Sequence, residues 1–318
     1  MTPPTGSVLT PHNINIDAGC LKVLLACDYI FLIAVMSAIS TVDLLIKLGG
    51  SAITEKTQLE TFNETAISIA VKMVKMCADK GLKLILVHGA GSFGHQQAKK
   101  YNVNGGWVKN NSGSQVKLGF SLTRVSCLKL NAKVVEQLTN EGLPAVGISP
   151  CGKWTTKNDE VIQSGVAAVY DLLKAGFIPV LHGDCVLDTI KGSTILSGDT
   201  VIKTLCKDLP VKKVVFLTDV AGIFDKPPHR PDAKLLSNII VDKNGKIAQK
   251  IATDALSCDV TGGIELKLSS AINIVVQNKG TIPVFVCKVG SEAAEKICLE
   301  KQPSLHDGGT VITLSQDN

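Results

Sequence analysis

The stretch LKLILVHGAGSFGH, residues 82–95, joins an apolar run to a turn that contains three glycines. The run LKLILV has the length and composition of a strand that is buried on both faces, as in a parallel sheet. Glycine allows a sharp turn, and the following GSFGHQQAKK predicts the start of a helix. The stretch therefore predicts a strand, a tight turn and a helix in succession.

The same succession recurs from Asp43 to the end of the chain. Further strand candidates are LLIKL, PAVGIS, FIPVLH, KVVFLT and TIPVFV. Helical patterns cover residues 59–80 and 121–141, each followed by a glycine, whereas residues 102–117 are rich in Asn, Gly and Ser and predict a loop or hairpin. This alternation predicts an α/β fold: a three-layer αβα sandwich with a mainly parallel central sheet.

Composition excludes several classes of protein. A chain of 318 residues predicts one large domain or two joined lobes, and 45% apolar against 19% charged residues excludes a disordered chain. The net charge of +5 is modest and the lysines are scattered, so we expect no nucleic-acid partner. None of the 10 cysteines forms a C-x-x-C pair, which excludes zinc ribbons and favours a reducing, cytoplasmic location.

The N-terminal region departs from this pattern. Residues 21–39, LKVLLACDYIFLIAVMSAI, are mostly apolar, but Lys22 and Asp28 leave too short an uninterrupted run for a membrane span. The preceding residues lack the basic flank of a secretory signal. We predict that residues 1–42 are an extension of uncertain order without stable membrane insertion; a membrane anchor and a gene-model error are the alternatives.

Conspicuous residues follow the predicted strands. Ligands of parallel sheets bind beyond the carboxyl ends of the strands, where this chain has KLGGS, HGAGS, HGD and TDVAG. In KLGGS, Gly49 and Gly50 can turn backbone N–H groups toward an anion, and Lys47 adds a positive charge. Taken alone, this motif also fits a simple tight turn with a surface lysine.

The turn HGAGS repeats the arrangement after the next strand, so that two glycine turns could hold two phosphates side by side. His95 is expected in the first turn of the helix that follows. It could be an ordinary core or surface histidine. Next to an anion-binding turn, a hydrogen-bond donor to phosphate is the interpretation that we favour.

Three later motifs extend this edge. In SGDT, Asp199 is either a first-turn helix acid or a residue that orients lysines. Asp219, in TDVAG, either contacts a nucleotide or stabilises its turn. In DVTGGIELK, residues 259–267, Thr-Gly-Gly is expected to open a helix with Lys267 one turn in, which makes a third anion-binding arrangement.

Taken in order, KLGGSAITEK, HGAGSFGH, PVLHGD, SGD, FLTDVAGIF and DVTGGIELK resemble the isopentenyl phosphate kinases of the amino acid kinase superfamily. The resemblance covers residues 43–318 and implies an amino acid kinase domain, with an acceptor-phosphate lobe over about 43–206 and a nucleotide lobe over about 207–318. It implies ATP and Mg²⁺ as cofactors, isopentenyl phosphate as substrate, and a homodimer. Ile264 stands where relatives commonly have methionine.

The resemblance also implies roles for individual residues. Lys47, Lys56, His95 and Asp199 would be catalytic: Lys47 would hold the transferring phosphate, Lys56 would stabilise the transition state, and His95 would bind the acceptor phosphate. Asp199 would lie near the acceptor and the lysines. No metal-ligating residue is implied.

The remaining implied residues bind the two substrates. Those for the nucleotide are Lys47, Gly49, Gly50, Gly91, Asp219, Gly263 and Lys267. Those for the acceptor are Ala90, His95 and Gly198.

The acceptor's tail needs an apolar cavity. Phe93, Val108, Phe120 and Ile148 are candidates for its lining, and each is as compatible with ordinary core.

Two other functions remain open at this point. One is a kinase of the same superfamily with another small acceptor. The other is a nucleotide-binding regulator without turnover, against which the joint presence of Lys47, Lys56 and Lys267 argues. A purely structural protein would leave the glycine turns at the strand ends unexplained.

Overall fold

The structure is a computed structural model that describes residues 41–55, 58–108, 113–247, 262–300 and 308–315. The side chains of residues 262–266 are not included in this description. The apolar segment 21–39 and Lys56, about which the sequence makes predictions, lie outside the described residues.

Twelve strands are described. They are β1 Leu44–Leu48, β2 Leu84–His88, β3 Ala145–Ile148, β4 Thr155–Lys157, β5 Glu160–Gln163, β6 Ile178–His182, β7 Asp184–Asp188, β8 Gly192–Leu196, β9 Val214–Thr218, β10 Asn238–Val241, β11 Val284–Lys288 and β12 Thr310–Leu314. Eight of them form one sheet in the order β10-β12-β11-β9-β1-β2-β6-β3, in which only the β11–β12 pairing is antiparallel among the described strands. The others form a smaller sheet in the order β5-β4-β7-β8.

Eight α-helices connect or flank these strands. They are α1 Gly50–Ile53, α2 Glu64–Asp79, α3 His95–Lys100, α4 Gly113–Asn140, α5 Val166–Lys174, α6 Gly198–Asp208, α7 Gly262–Gln277 and α8 Glu292–Leu299, within the ranges given above. Short 3₁₀ turns cover Gly91–Phe93 and Val103–Gly105.

Helices cover both faces of the large sheet. Alternate residues of β1 point to opposite faces, because side chains along a strand alternate. Leu45 belongs to a core that includes residues of α5, α6 and α7. Leu44 and Ile46 belong to a second core with residues of α2, α4 and α8. The predicted three-layer αβα sandwich with a mainly parallel sheet is therefore confirmed.

Helix boundaries differ from the sequence prediction in two places. Helix α2 begins at Glu64 rather than near residue 59, because the Asn63 side chain accepts a hydrogen bond from the Ala66 N–H at 2.9 Å and caps the helix. The prediction of a loop or hairpin over 102–117 was wrong from Gly113, where α4 begins. Buried Val116 gives that first turn a packing contact that outweighs the poor helix propensity of Gly and Ser.

The predicted buried thiols are confirmed. Cys77, Cys127 and Cys206 are buried, and each cysteine in the described ranges is a free thiol. None of the helices in these ranges is both long and apolar enough to cross a membrane. The division into two lobes stays a prediction.

Candidate functional site

The carboxyl ends of β1, β2, β6 and β9 open into one cavity of about 830 Å³. Its walls are formed by the glycine turns after β1 and β2, by the start of α6, by the segment after β9 and by Lys267 of α7. This is the sheet edge at which parallel sheets bind ligands. Ten residues predicted from the sequence line it: Lys47, Gly49, Gly50, Ala90, Gly91, His95, Gly198, Asp199, Asp219 and Lys267.

The first two glycine turns pack directly against each other. A Cβ placed on Gly50 would lie 2.3 Å from the Gly91 nitrogen, so no larger residue fits at Gly50 without moving the backbone. Gly91 has a φ of +52°, and a Cβ there would lie 2.1 Å from the Thr54 hydroxyl. Thr54 also accepts a hydrogen bond from the Ser92 N–H at 3.1 Å. These contacts give the two turns one fixed geometry.

Not every glycine in these turns offers a free N–H group. The Gly49 N–H donates to the Leu217 carbonyl at 2.9 Å, and the Gly89 N–H donates to the Leu48 carbonyl at 2.9 Å. Both bonds extend the backbone pairing of the sheet. The Gly49 N–H is therefore not available to a phosphate, which would contact other backbone atoms of Gly49 instead.

Lys47 and Asp199 form an ion pair inside the cavity. Lys47 lies near the end of β1 with its side chain almost fully buried, and its ammonium group donates a hydrogen bond to Asp199 Oδ1. The same ammonium group lies 5.1 Å from the centre of the Phe216 ring. Ser197 caps α6 by accepting from the Thr200 N–H at 3.1 Å, which fixes the helix start that carries Asp199. The pairing fixes the position of the Lys47 ammonium group in the cavity.

A second lysine and carboxylate lie on another wall. Lys267 Nζ is 3.9 Å from Asp219 Oδ1, and the Lys267 side chain is largely buried. Asp219 follows β9 directly, as the sequence predicts for a residue at that strand end. His229 and Pro228, from the same long connection, also line this part of the cavity.

His95 is the first residue of α3, is exposed and lines the cavity. The helix follows a 3₁₀ turn, which delays its start to His95. It has only six residues, so its dipole is short. Anion binding near His95 therefore depends on N–H donors of the ring and of the neighbouring backbone more than on the helix dipole.

A less polar region lies between α4 and the smaller sheet. Thr123, Cys127 and Ile195 line the cavity here, together with Ala98. Behind them the Asp184 carboxylate accepts hydrogen bonds from the Ser149 hydroxyl at 2.8 Å and from Arg124 Nε at 3.3 Å. Burial raises the pKa of the Cys127 thiol, so this wall stays uncharged at Cys127.

No group of three or more His, Cys, Asp or Glu side chains within the described part of the chain is placed to hold a metal ion. The carboxylates nearest the lysines, Asp199 and Asp219, each already have a lysine partner. Cations and backbone N–H groups beside two glycine turns suit a polyanion such as a nucleotide.

Comparison with known proteins agrees with this chemistry. The amino acid kinase family model matches residues 44–288. The chain belongs to the amino acid kinase family. Two curated relatives, from Arabidopsis thaliana and Methanothermobacter thermautotrophicus, are isopentenyl phosphate kinases. The first is 35% identical over 301 residues, which cover 79% of this chain and 89% of the relative. The second is 32% identical over 233 residues, which cover 71% and 84%.

Solved structures agree with the family assignment. An X-ray structure of isopentenyl phosphate kinase superposes on this amino acid kinase with a TM-score of 0.69 and 25% identity, over 86% of this chain and all of the other. The sequence resemblance to that group and the predicted fold are thereby confirmed.

The tertiary structure brings most of the predicted residues together. Two predicted residues are not among those that line the cavity. Lys56 lies outside the described residues, and Gly263 is described only as part of the first turn of α7. The roles of all the predicted site residues stay predictions.

None of the four residues predicted for the tail pocket is among those that line the cavity. Phe93 and Ile148 are buried in the two cores, and the Phe93 ring packs against Phe62 at a tilt of 32° with ring centres 4.6 Å apart. Val108 is exposed, and Phe120 packs edge-on against Trp107. The cavity wall instead uses Thr123, Cys127 and Ile195, residues that the sequence analysis missed. Their burial pattern resembles that of any core residue, so the sequence carried no signal for them.

Proposed function

We propose that this amino acid kinase transfers the γ-phosphoryl group of ATP to isopentenyl phosphate, giving ADP and isopentenyl diphosphate, an isoprenoid precursor. The observation that carries the proposal is the single cavity in which two interlocked glycine turns, Lys47, Lys267 and His95 meet. Support for the acceptor comes from relatives at 30–35% identity that are isopentenyl phosphate kinases.

The reaction places demands that this cavity meets. A phosphate monoester has a second pKa of about 6, so its oxygen is already an anionic nucleophile near pH 7 and no general base is required. The difficulty is repulsion: two unit charges about 4 Å apart repel by roughly 4 kcal/mol at an effective dielectric of 20. Catalysis therefore needs cations and N–H donors that hold two polyanions in line.

The residues divide this task. In the proposal Lys47, oriented by Asp199, binds the phosphoryl group during transfer. His95 donates a hydrogen bond to the acceptor phosphate. Lys267 and Asp219 bind the nucleotide on another wall of the cavity. Lys56, nine residues after Lys47, adds charge in the transition state.

Mg²⁺ is proposed to enter with ATP. Three carboxylates line the cavity, and each is engaged by a cation: Asp199 by Lys47, Asp219 by Lys267 and Asp184 by Arg124. Phosphate oxygens and water therefore suit Mg²⁺ as ligands better than a protein cage. When bound, the ion neutralises charge on the ATP phosphates.

The acceptor's five-carbon tail suits the less polar wall formed by Thr123, Cys127 and Ile195. Each buried CH₂ group contributes about 0.8 kcal/mol.

The direct test combines purified protein, Mg-ATP and isopentenyl phosphate, and measures ADP and isopentenyl diphosphate together. Equal amounts of both products are expected. ADP without isopentenyl diphosphate, or turnover with other small phosphates or carboxylates only, would overturn the proposed acceptor. Omission of Mg²⁺ with added EDTA is expected to stop turnover.

We also propose a homodimer that forms through α4. This helix exposes an apolar stripe, and its members are Leu118, Leu122, Val125 and Leu128, which lie on one face. Exposed apolar stripes of this kind support protein association. Sedimentation of the Leu122→Glu, Val125→Glu double variant should show a monomer. The matched control Ile162→Glu changes an exposed apolar residue on β5 and should leave the dimer intact.

A cytoplasmic location is proposed on the basis of the free thiols in the described ranges, which suit a reducing compartment. Imaging of the full chain with a C-terminal fluorescent tag tests this, and a signal confined to a membrane organelle would contradict it.

A further inference from the structure

Two buried histidines lie directly beneath the phosphate-binding turns. His88 and His182 end β2 and β6, pair with each other in register and are completely buried. Their rings stack with centres 5.6 Å apart and planes 19° apart. A glycine follows each of them, and both glycines line the cavity. Neither ring has a role in the phosphoryl transfer proposed above.

The hydrogen bonds of His88 define its protonation. Its Nδ1 lies 3.0 Å from the Gly89 carbonyl oxygen, which can only accept, so Nδ1 carries a proton. Its Nε2 lies 3.0 Å from the Asn131 amide nitrogen. That nitrogen also lies 3.3 Å from the Val180 carbonyl and therefore acts as a donor to both groups. Nε2 must accept, and the ring is neutral.

The surroundings of the ring also favour the neutral form. Burial and, to a smaller extent, the neighbouring His182 lower the pKa of His88 to about 3, against the opposing effect of the Gly89 hydrogen bond. Burial likewise lowers the pKa of His182, whose Nδ1 makes the same 3.0 Å contact with the Gly183 carbonyl. Both rings therefore serve as fixed hydrogen-bond donors at physiological pH.

The His88 contact has a consequence for the peptide above it. A trans peptide is planar, so its C=O and N–H groups point in opposite directions. The Gly89 carbonyl faces the buried ring, so the N–H of the same peptide, which belongs to Ala90, faces the opposite way, and Gly89, Ala90 and Gly91 all line the cavity. Ala90 is in the right-handed helical region and Gly91 has a φ of +52°, a succession that forms anion-binding nests.

We propose that His88 is a positioning residue: its Nδ1–H holds the Gly89 carbonyl and thereby aims the Ala90 N–H at the acceptor phosphate. The proposal rests on the proposed function for the identity of that phosphate. It assigns a task to the first histidine of HGAGSFGH that differs from the direct contact assigned to His95. The same contact at His182 and Gly183 supports the adjoining turn.

Two variants of His88 separate the loss of its hydrogen-bond donor from a change in packing. His88→Leu removes the donor and keeps an apolar group of similar size, whereas His88→Asn keeps an N–H donor near the position of Nδ1. We expect His88→Leu to lower kcat/KM for the acceptor by about 10- to 100-fold, the range for a lost hydrogen bond to a charged group. His88→Asn should retain most of the wild-type kcat/KM, although both variants lose the contact with Asn131. Equal losses in the two variants would refute the positioning role.

A double-mutant cycle tests the path through Ala90. Ala90→Pro removes the N–H and closes a ring at that nitrogen, and the Ala90 φ of −77° is compatible with proline. If His88 acts through that N–H, the double variant His88→Leu, Ala90→Pro should lose no more kcat/KM than the more impaired single variant. Multiplicative losses would overturn the proposal.

A third measurement does not depend on turnover. The ¹⁵N shifts of the wild-type enzyme should show His88 protonated at Nδ1 and bare at Nε2 from pH 6 to 8. Inorganic phosphate should move the Ala90 amide signal in wild type and in His88→Asn, and less in His88→Leu. An Nε2-protonated ring, or a phosphate shift that is unchanged in His88→Leu, would refute the positioning role. Inactivity of wild type toward isopentenyl phosphate, with these shifts intact, would instead refute only the proposed function.

Discussion

Gly50→Ala should disable the enzyme although it adds one methyl group. The new Cβ would lie 2.3 Å from the Gly91 nitrogen, 2.7 Å from its Cα and 3.1 Å from the Gly89 carbonyl carbon. All three atoms are backbone, so no side chain can rotate away. The turn after β1 or the turn after β2 must move.

The size of the movement follows from these distances. An ordinary contact begins near 3.4 Å, so a 2.3 Å approach requires the turns to separate by about 1 Å. A displacement of about 1 Å at groups that position a substrate can cost roughly 100-fold in rate. Overpacking of this kind also destabilises a protein by about 1–3 kcal/mol. We therefore expect a loss of kcat/KM that is much larger than the loss of stability would explain.

Gly49→Ala is the matched control. Its Cβ would meet the Leu217 carbonyl oxygen at 3.4 Å, and Gly49 has a φ of −59° and a ψ of 134°, which alanine adopts freely. The assay is steady-state turnover of both variants with ATP and isopentenyl phosphate, together with their thermal unfolding. Gly49→Ala adds a methyl group at the same cavity without a backbone clash and should therefore lose much less activity than Gly50→Ala. Activity of Gly50→Ala within threefold of Gly49→Ala would refute the interlocked-turn argument.

Three further predictions concern single side chains. His95→Ala should raise the KM for isopentenyl phosphate far more than the KM for ATP in steady-state kinetics; equal rises would contradict a contact with the acceptor. Lys56→Ala should depress kcat strongly in the same assay, because a transition-state charge is lost, and near-normal turnover would remove Lys56 from the mechanism. Asp188→Asn should destabilise the fold by about 1–3 kcal/mol near pH 7 in urea unfolding. Burial opposes the charge of Asp188, but hydrogen bonds from the N–H groups of Asp159, Lys191 and Ile190 outweigh burial and hold its pKa well below 3.8. The stabilisation that ionised Asp188 gives is therefore present above pH 3.8 and is lost as the pH falls through the folded-state pKa. The unfolding free energies of the variant and wild type should converge in acid. A difference that does not depend on pH would contradict this.

Part of the candidate site could be predicted because the local sequence carries its physical cause. Glycine after an apolar run predicts a turn at a strand end, and parallel strands bring such ends to one edge of the sheet. Lys47 and Asp219 were found in this way. They line one cavity with Asp199, which its SGDT motif indicated, and with Ala90, which only the family resemblance implied. The resemblance to isopentenyl phosphate kinases rests on the quoted motifs. Composition and periodicity alone do not indicate it.

Other parts of the site depend on contacts between residues far apart in the chain. Thr123, Cys127 and Ile195 form a cavity wall only because α4 packs beside the smaller sheet, and their residue types are those of any core. The start of α4 at Gly113 is decided by tertiary packing, against its local propensity.

The sequence by itself determined the layered α/β fold and the edge of the sheet where charged residues gather, because strand burial and glycine turns are local properties. Only the tertiary structure decided which glycines interlock, which lysine pairs with which carboxylate, and which way the Gly89 peptide faces. Those choices depend on distances between separate turns and on the buried ring of His88, and no spacing along the chain encodes them.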